Sequence, residues 1–312
     1  MSFSRREFLK NCSLIGAAVA SYNQALFARE PHLHFPTRPA DRLSLTSWPF
    51  RAYFATSANR YHDASKKGMD MKDFAAMAVQ KFNIHNINPV FAHFRSTDTR
   101  YLDEVREATA KAGSHFADLG LGHGNFYDSD ASERQAAIAE GKKGIDAAVI
   151  LGSPSVRQHI AGKRGTKPDV DLAAQSLGEL ADYGSRKNIV VILENDNPVS
   201  EDPFFIVKVI EKVGNPYLRA LPDLGNSLQR GDYDFNARGV AAMFEHAFNM
   251  SHVKDVSISR SGTVYPVHLA KLFGIAKAKG YRGYFSMEWE GKGDDPFEGT
   301  QKLIKETLQY LS

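Results

Sequence analysis

Between residues 43 and 311 the chain switches between short apolar runs and helical periodicity eight times. The apolar runs fall at 43–48 (LSLTSW), 84–90, 114–121, 148–151 (AVIL), 189–193, 218–221, 252–253 and 283–287. Residues 71–82, 101–112, 132–147, 170–187, 203–213, 235–248, 266–279 and 296–311 carry helical apolar spacing, with Asp70 placed to cap the first. Strands apolar enough to be buried on both faces suit a parallel sheet covered by helices. Eight βα units are the number that closes such a sheet. The alternation therefore predicts the α/β class: a single-domain (β/α)8 TIM barrel over residues 42–312. An open doubly wound sheet would alternate in the same way. Its nucleotide-binding forms lose support, because no G-x-G-x-x-G follows the first strand and no G-x-x-x-x-G-K-[ST] occurs.

Parallel barrel strands end on one face, where active sites assemble. Glu194 ends the fifth run, in VVILEN, and Asp223 ends the sixth, in LPDLGN. His252 lies on the seventh, in MSHVKD, and Glu288 ends the eighth, in FSMEWEG. Successive members are about one βα unit apart, roughly 30 residues. Four metal-ligating side chains are thus expected at one height on four neighbouring strands. Three carboxylates and an imidazole form an oxygen-rich set suited to one divalent ion, Mn2+ first, then Mg2+, with Co2+ or Zn2+ admitted by the imidazole. Without an ion, clustered carboxylates would raise one another's pKa values. Basic and acidic residues nearly balance over the whole chain: lysines and arginines together number 39, aspartates and glutamates 36, for a net charge of +3. That balance offers no broad positive field for nucleic acid or a membrane surface.

The strings ILEN, PDLGN, HVKD and FSMEWEG, in that order on strands five to eight, resemble the xylose isomerase-like barrels of the sugar phosphate isomerase/epimerase superfamily. The resemblance runs from about residue 43 to the end. It implies a metal-dependent isomerase or epimerase that takes a proton from the carbon beside a carbonyl. In those terms Glu194 and Glu288 are both ligands and the acid/base pair, and Lys254 donates to the developing oxyanion. Glu290 shares the strand face of Glu288 and is expected to bind substrate or support the site, the alternative being that the two exchange roles and Glu290 is the last ligand. His123, Arg157, His159, Asn226, Asp255 and Trp48 are the remaining candidates for substrate contact, with Phe50 beside Trp48 as apolar surface for a sugar ring. Arg260, Ser261 and Gly262 are a candidate phosphate cradle.

The amino terminus carries a second resemblance. Ser4-Arg5-Arg6-Glu7-Phe8-Leu9-Lys10 is similar to the bacterial twin-arginine export signal, and a short apolar stretch and small residues at 25–28 follow it. The expectation is a signal peptide at 1–28, a Pro-containing linker at 29–41, passage through the twin-arginine export machinery, and a periplasmic or secreted protein without stable membrane insertion. The single cysteine, Cys12, falls inside that signal, so the mature chain would have no thiol chemistry. An exported enzyme meets unphosphorylated sugars and glycosides. The expected reaction is isomerisation or epimerisation of such a sugar or keto sugar. A lyase cleaving 3-keto-glycosides by β-elimination begins with the same proton abstraction, and a noncatalytic sugar-binding protein could keep the same metal site. Phosphodiester hydrolysis, known in the endonuclease IV branch, is disfavoured by the charge balance and the signal.

Overall fold

The computed structural model describes residues 30–160, 166–291 and 295–311. The expected signal peptide at 1–28 lies outside the described residues. Eight strands form the barrel wall: β1 (Leu43–Thr46), β2 (Asn86–Asn88), β3 (Leu119–Gly124), β4 (Ser155–Ile160), β5 (Val190–Glu194), β6 (Leu218–Leu221), β7 (Met250–Val253) and β8 (Tyr284–Met287). The helices between and after them are α1 (Met71–Phe82), α2 (Thr99–Lys111), α3 (Ala131–Leu151), α4 (Val170–Lys187), α5 (Pro203–Val213), α6 (Tyr233–Phe244), α7 (Leu269–Ala278) and α8 (Pro296–Leu311). All wall pairings are parallel, in the runs β7–β8–β1–β2 and β3–β4–β5–β6. Isolated parallel bridges close the ring, Val90 to Gly120 on one side and Asp223 to His252 on the other. Among the described residues no helix is long and apolar enough to cross a membrane.

Five of the helices share one starting device. Asp70, Asp130, Asp169, Asp202 and Asp232 each accept a backbone N–H from the first turn of the helix they precede. This satisfies an otherwise orphaned donor and places negative charge at the positive end of the helix dipole.

Strand alternation then decides what the barrel encloses. Val190 and Ile192 share the parity of Glu194; Leu221 shares that of Asp223; Met250, that of His252; and Tyr284, that of Glu288. The five apolar residues pack as one buried cluster at the floor, with Phe35 from the linker set edge-on to Tyr284 at a ring-centroid distance of 5.8 Å. The polar members of the same columns stand above that floor. A larger apolar core fills the space between wall and helices.

The fourth strand is not where the apolar pattern put it. Residues 148–151 (AVIL) are the last turn of α3, which ends at Gly152 in the left-handed region (φ 76). Val149 is 46% exposed while Ala147, Ala148 and Leu151 are buried, the signature of a helix face rather than a two-sided strand. The strand is the polar string Ser155–Ile160 instead. Its inward residues Ser155, Arg157 and His159 serve the interior of the barrel, so it lacks the apolar run that marks the others. Phe50 is also placed differently from expectation. It is fully buried against Phe74, Phe82 and Phe297, and offers no surface to a sugar.

Candidate metal centre

Glu194 closes β5, Asp223 follows β6, His252 lies in β7 and Glu288 follows β8. All four are buried, and one potential ligand atom from each lies within 4.8 Å of the others. Backbone bonds fix the strand ends: His252 N donates to Pro222 O at 3.1 Å, and Glu288 N to Val253 O at 2.9 Å.

The imidazole of His252 is oriented by its two nitrogens. Nε2 meets Asn88 Oδ1 at 3.0 Å, and Asn88 Nδ2 donates to Asp118 Oδ2 at 2.9 Å. Asn88 therefore presents its oxygen to the ring, and Nε2 carries the hydrogen. Nδ1 is left to the carboxylates, 2.7 Å from Glu194 Oε1 and 3.2 Å from Glu288 Oε2. Such outer partners fix the tautomer of a metal-ligating histidine. Asp118 continues the network to Ser155 Oγ at 2.5 Å, and burial pushes its pKa up to about 6.

The carboxylates are compensated by cations inside the barrel. Lys254 Nζ lies 3.2 Å from Asp223 Oδ2, 3.2 Å from Glu288 Oε2 and 3.0 Å from Glu290 Oε2. It also donates to Asn226 Oδ1 at 2.8 Å. Arg157 Nη1 donates to Glu194 Oε2 at 2.6 Å. Burial opposes ionisation of Glu194, but His252 and Arg157 outweigh it and hold the carboxyl well below its ordinary range. The same opposition, won by His252 and Lys254, takes Glu288 to about 2. Asp223 goes the other way: burial, with Glu194 and Glu288, outweighs Lys254 and pushes it up to about 7.

The two oxygens of Asp223 are held unequally. Oδ1 accepts from Gly225 N at 2.8 Å and Asn226 N at 2.6 Å, while the sealed Oδ2 makes no hydrogen bond. The cationic neighbour of Oδ2 is the Lys254 ammonium at 3.2 Å, an ion-pair contact without hydrogen-bond geometry, and a buried carboxylate oxygen that makes no hydrogen bond is costly. A carboxylate oxygen that makes no hydrogen bond, two further carboxylates and an imidazole with Nδ1 turned inward together fit a divalent ion bound by oxygen and one nitrogen.

The remaining candidates sort by their contacts. Glu290 stands outside the four-residue cluster and bridges Lys254 to the mouth, accepting from Trp48 Nε1 at 2.6 Å. Arg51 lies over the Trp48 ring at 4.8 Å. His159 Nε2 is 2.5 Å from Arg157 Nη1, and exposed His123 stacks on His159 at 4.6 Å between centroids. Asp255 is not among the partners of Lys254; its carboxylate accepts from Val256 N at 3.0 Å. Arg260, Ser261 and Gly262 form the turn of a hairpin whose strands are Val256–Ile258 and Val264–Pro266, and Ser261 Oγ is taken by Ser259 Oγ at 2.8 Å.

Glu201 and Asn88 are site residues the sequence reading missed. Glu201 Oε1 accepts from His159 Nδ1 and from Ile160 N, each at 2.8 Å, and Oε2 accepts from Asn197 N at 3.1 Å. His123, His159 and Glu201 are close enough to suggest a second ion. Both His159 nitrogens and both Glu201 oxygens are already committed, one nitrogen to a guanidinium, so the trio is a hydrogen-bonded support for Arg157. The signal that could have found Asn88 was its polarity inside a strand, directly before Pro89.

A profile describing xylose isomerase-like TIM barrels matches residues 72–312. No curated protein matches the chain. Among solved structures, the chain is similar to a xylose isomerase-like TIM barrel protein from Mycobacterium smegmatis in complex with magnesium, at 18% identity and a TM-score of 0.65, covering 86% of this chain and 96% of that one. It is similar to D-psicose 3-epimerase with D-tagatose from Clostridium cellulolyticum H10 at 12% identity and a TM-score of 0.65, over 86% and 99% of the two chains. A third likeness is to 3-keto-D-glucoside 4-epimerase from E. coli, at 13% identity and a TM-score of 0.62, over 85% and 98%.

Proposed function

The chain belongs to the xylose isomerase-like TIM barrel family, and on that premise we propose that it is a divalent-metal-dependent enzyme that isomerises or epimerises an unphosphorylated sugar or keto sugar. One observation carries the reading. Four side chains of metal-ligating type end adjacent strands in a sealed cluster, and one of their oxygens, Asp223 Oδ2, makes no hydrogen bond. The solved relatives with sugar-epimerase activity, and the one in complex with magnesium, support the choice of chemistry.

A bound divalent ion would polarise the substrate carbonyl and acidify the adjacent C–H. Glu194, Asp223, His252 and Glu288 would hold that ion. A glutamate carboxylate beside the substrate carbon receives the proton. Lys254 sits beside the cluster with three donors and holds the oxygen on which charge develops. Glu290 fixes Lys254 and Trp48 together, so the aromatic wall and the cation keep one spacing. Mn2+ is the ion we propose. Passage through the twin-arginine route, supported by Ser4–Lys10, would place the enzyme among unphosphorylated carbohydrates.

The test is elemental analysis of the purified protein, followed by exchange into D2O of the C–H beside the carbonyl in a panel of keto sugars. The expected result is about one divalent ion per chain, matching the one four-ligand cluster, and metal-dependent exchange. Protein that takes up no divalent ion, or loaded protein that exchanges no proton, removes the proposal.

A further inference from the structure

Inverting a carbon by removing and returning its proton needs groups that address both of its faces. The two glutamates are not equivalent in this respect. Glu194 meets His252 Nδ1 at 2.7 Å through Oε1, a contact that a bound ion would replace, and Arg157 Nη1 at 2.6 Å through Oε2, a contact that it would leave in place. Arg157 is held in turn: the same nitrogen meets His159 Nε2 at 2.5 Å, and His159 Nδ1 donates to Glu201 Oε1 at 2.8 Å. Backbone N–H groups of Ile160 and Asn197 anchor Glu201 at 2.8 and 3.1 Å. Glu194, Arg157, His159 and Glu201 are all buried, which leaves bulk water little access to loosen the chain of contacts. Glu288 is engaged differently. His252 and Lys254 both approach Oε2, each at 3.2 Å, and its side chain is the more exposed of the two, 7% against 2%.

We infer that Glu288 alone carries the substrate proton, that Glu194 is a ligand clamped by an Arg157–His159–Glu201 relay, and that the enzyme works on one face of its substrate, as an isomerase or an eliminating lyase of keto sugars rather than an epimerase. This rests on the proton-abstraction reading above. Glu288 takes the hydrogen beside the carbonyl. The C–H electron pair forms the C=C bond of an enediolate, and the carbonyl π pair moves onto oxygen, where Lys254 faces it. In isomerisation a proton passes from the neighbouring hydroxyl to that oxygen. The neighbouring oxygen then forms the new carbonyl, and the C=C pair takes the proton back from Glu288 on the same face. In elimination the oxygen pair re-forms the carbonyl and the C=C pair shifts to the next carbon. The C–O bond there breaks, and the departing oxygen leaves with its pair and takes up the proton from Glu288. Glu201 and His159 are positioning residues.

Stereochemistry separates these readings. Metal-loaded protein is incubated in D2O with methyl 3-keto-D-glucopyranoside and with D-fructose, and products are followed by NMR. The expected result is exchange, isomer or elimination product without epimer. Glu288→Gln should slow it by about 10²–10⁴-fold, the worth of a general base. Arg157→Met releases Glu194 and should introduce the epimer; Glu201→Gln perturbs the relay more gently and carries the same test if Arg157→Met does not fold. An epimer formed by the unaltered protein as fast as exchange overturns the one-face inference and leaves the proposed function standing. Exchange retained in both relay variants with stereochemistry unchanged overturns the clamp. No exchange with either probe removes the proposed function, and this inference with it.

Discussion

Metal affinity should climb with pH, because the ion must expel protons that the cluster holds without it. His252 contributes first. Burial disfavours its charged form, yet Glu288 and Glu194 prevail and raise its pKa to about 10. Only a neutral Nδ1 can accept an ion. Below about pH 10, each ion bound therefore releases one proton from His252, and the association constant rises about tenfold per pH unit. Asp223, pushed up to about 7 by burial and by the neighbouring glutamates, adds a second proton in the acid range. Below that point the slope approaches about a hundredfold per unit. Between pH 8 and pH 6 the loss is then on the order of 10³-fold, steeper at its acid end. The assay is isothermal titration of MnCl2 into metal-stripped protein from pH 6 to 8.5, repeated in buffers of different ionisation heat so that released protons are counted. About one proton per ion is expected at pH 8 and about 1.5 at pH 7. Affinity that stays level over this range, with no proton released at pH 8, would show that His252 waits in its neutral form and would refute the electrostatic account of the cluster.

Three further outcomes follow from contacts around the site and the wall. Asn88→Ala removes the acceptor that sets the His252 tautomer, and should weaken Mn2+ binding by about 10–100-fold in the same titration, with the fold kept. Lys254→Met takes a cation from beside Asp223 and Glu288; it should bind metal no more weakly, while turnover on a keto sugar falls by about 10²–10³-fold. Gly184→Ala puts a Cβ against the backbone oxygen of Ile189, nearer than van der Waals contact allows. It should cost about 1–3 kcal/mol in urea unfolding without altering metal affinity per folded molecule.

Why some of this site could be read from the sequence and some could not comes down to where each side chain has its partner. Glu194, Asp223 and Glu288 each close an apolar run, so the step from core to carboxylate marks both the strand end and the candidate ligand. Parity does the rest: Val190, Ile192, Met250 and Tyr284 fill the floor beneath, and the next inward residue on the same column belongs to the polar cluster above it. Strand β4 breaks this code. Its inward residues are a serine, an arginine and a histidine, so it has no apolar run, and the neighbouring AVIL, which does, belongs to a helix.

The relay behind Glu194 is hidden for the same reason, one step further out. Glu201 has no periodic neighbour to announce it, and it meets His159 from 42 residues away; Asn88 meets His252 from 164 away. Local pattern reports which way a side chain points, and long-range pairing decides what it then touches. Two glutamates at matching strand ends therefore look interchangeable in sequence. In the folded chain they differ, because β4 sends a guanidinium to one and the residue after β7 an ammonium to the other. That asymmetry arises from strands adjacent in space, and it is what separates a glutamate that only holds the ion from one that also serves as base in the chemistry proposed here.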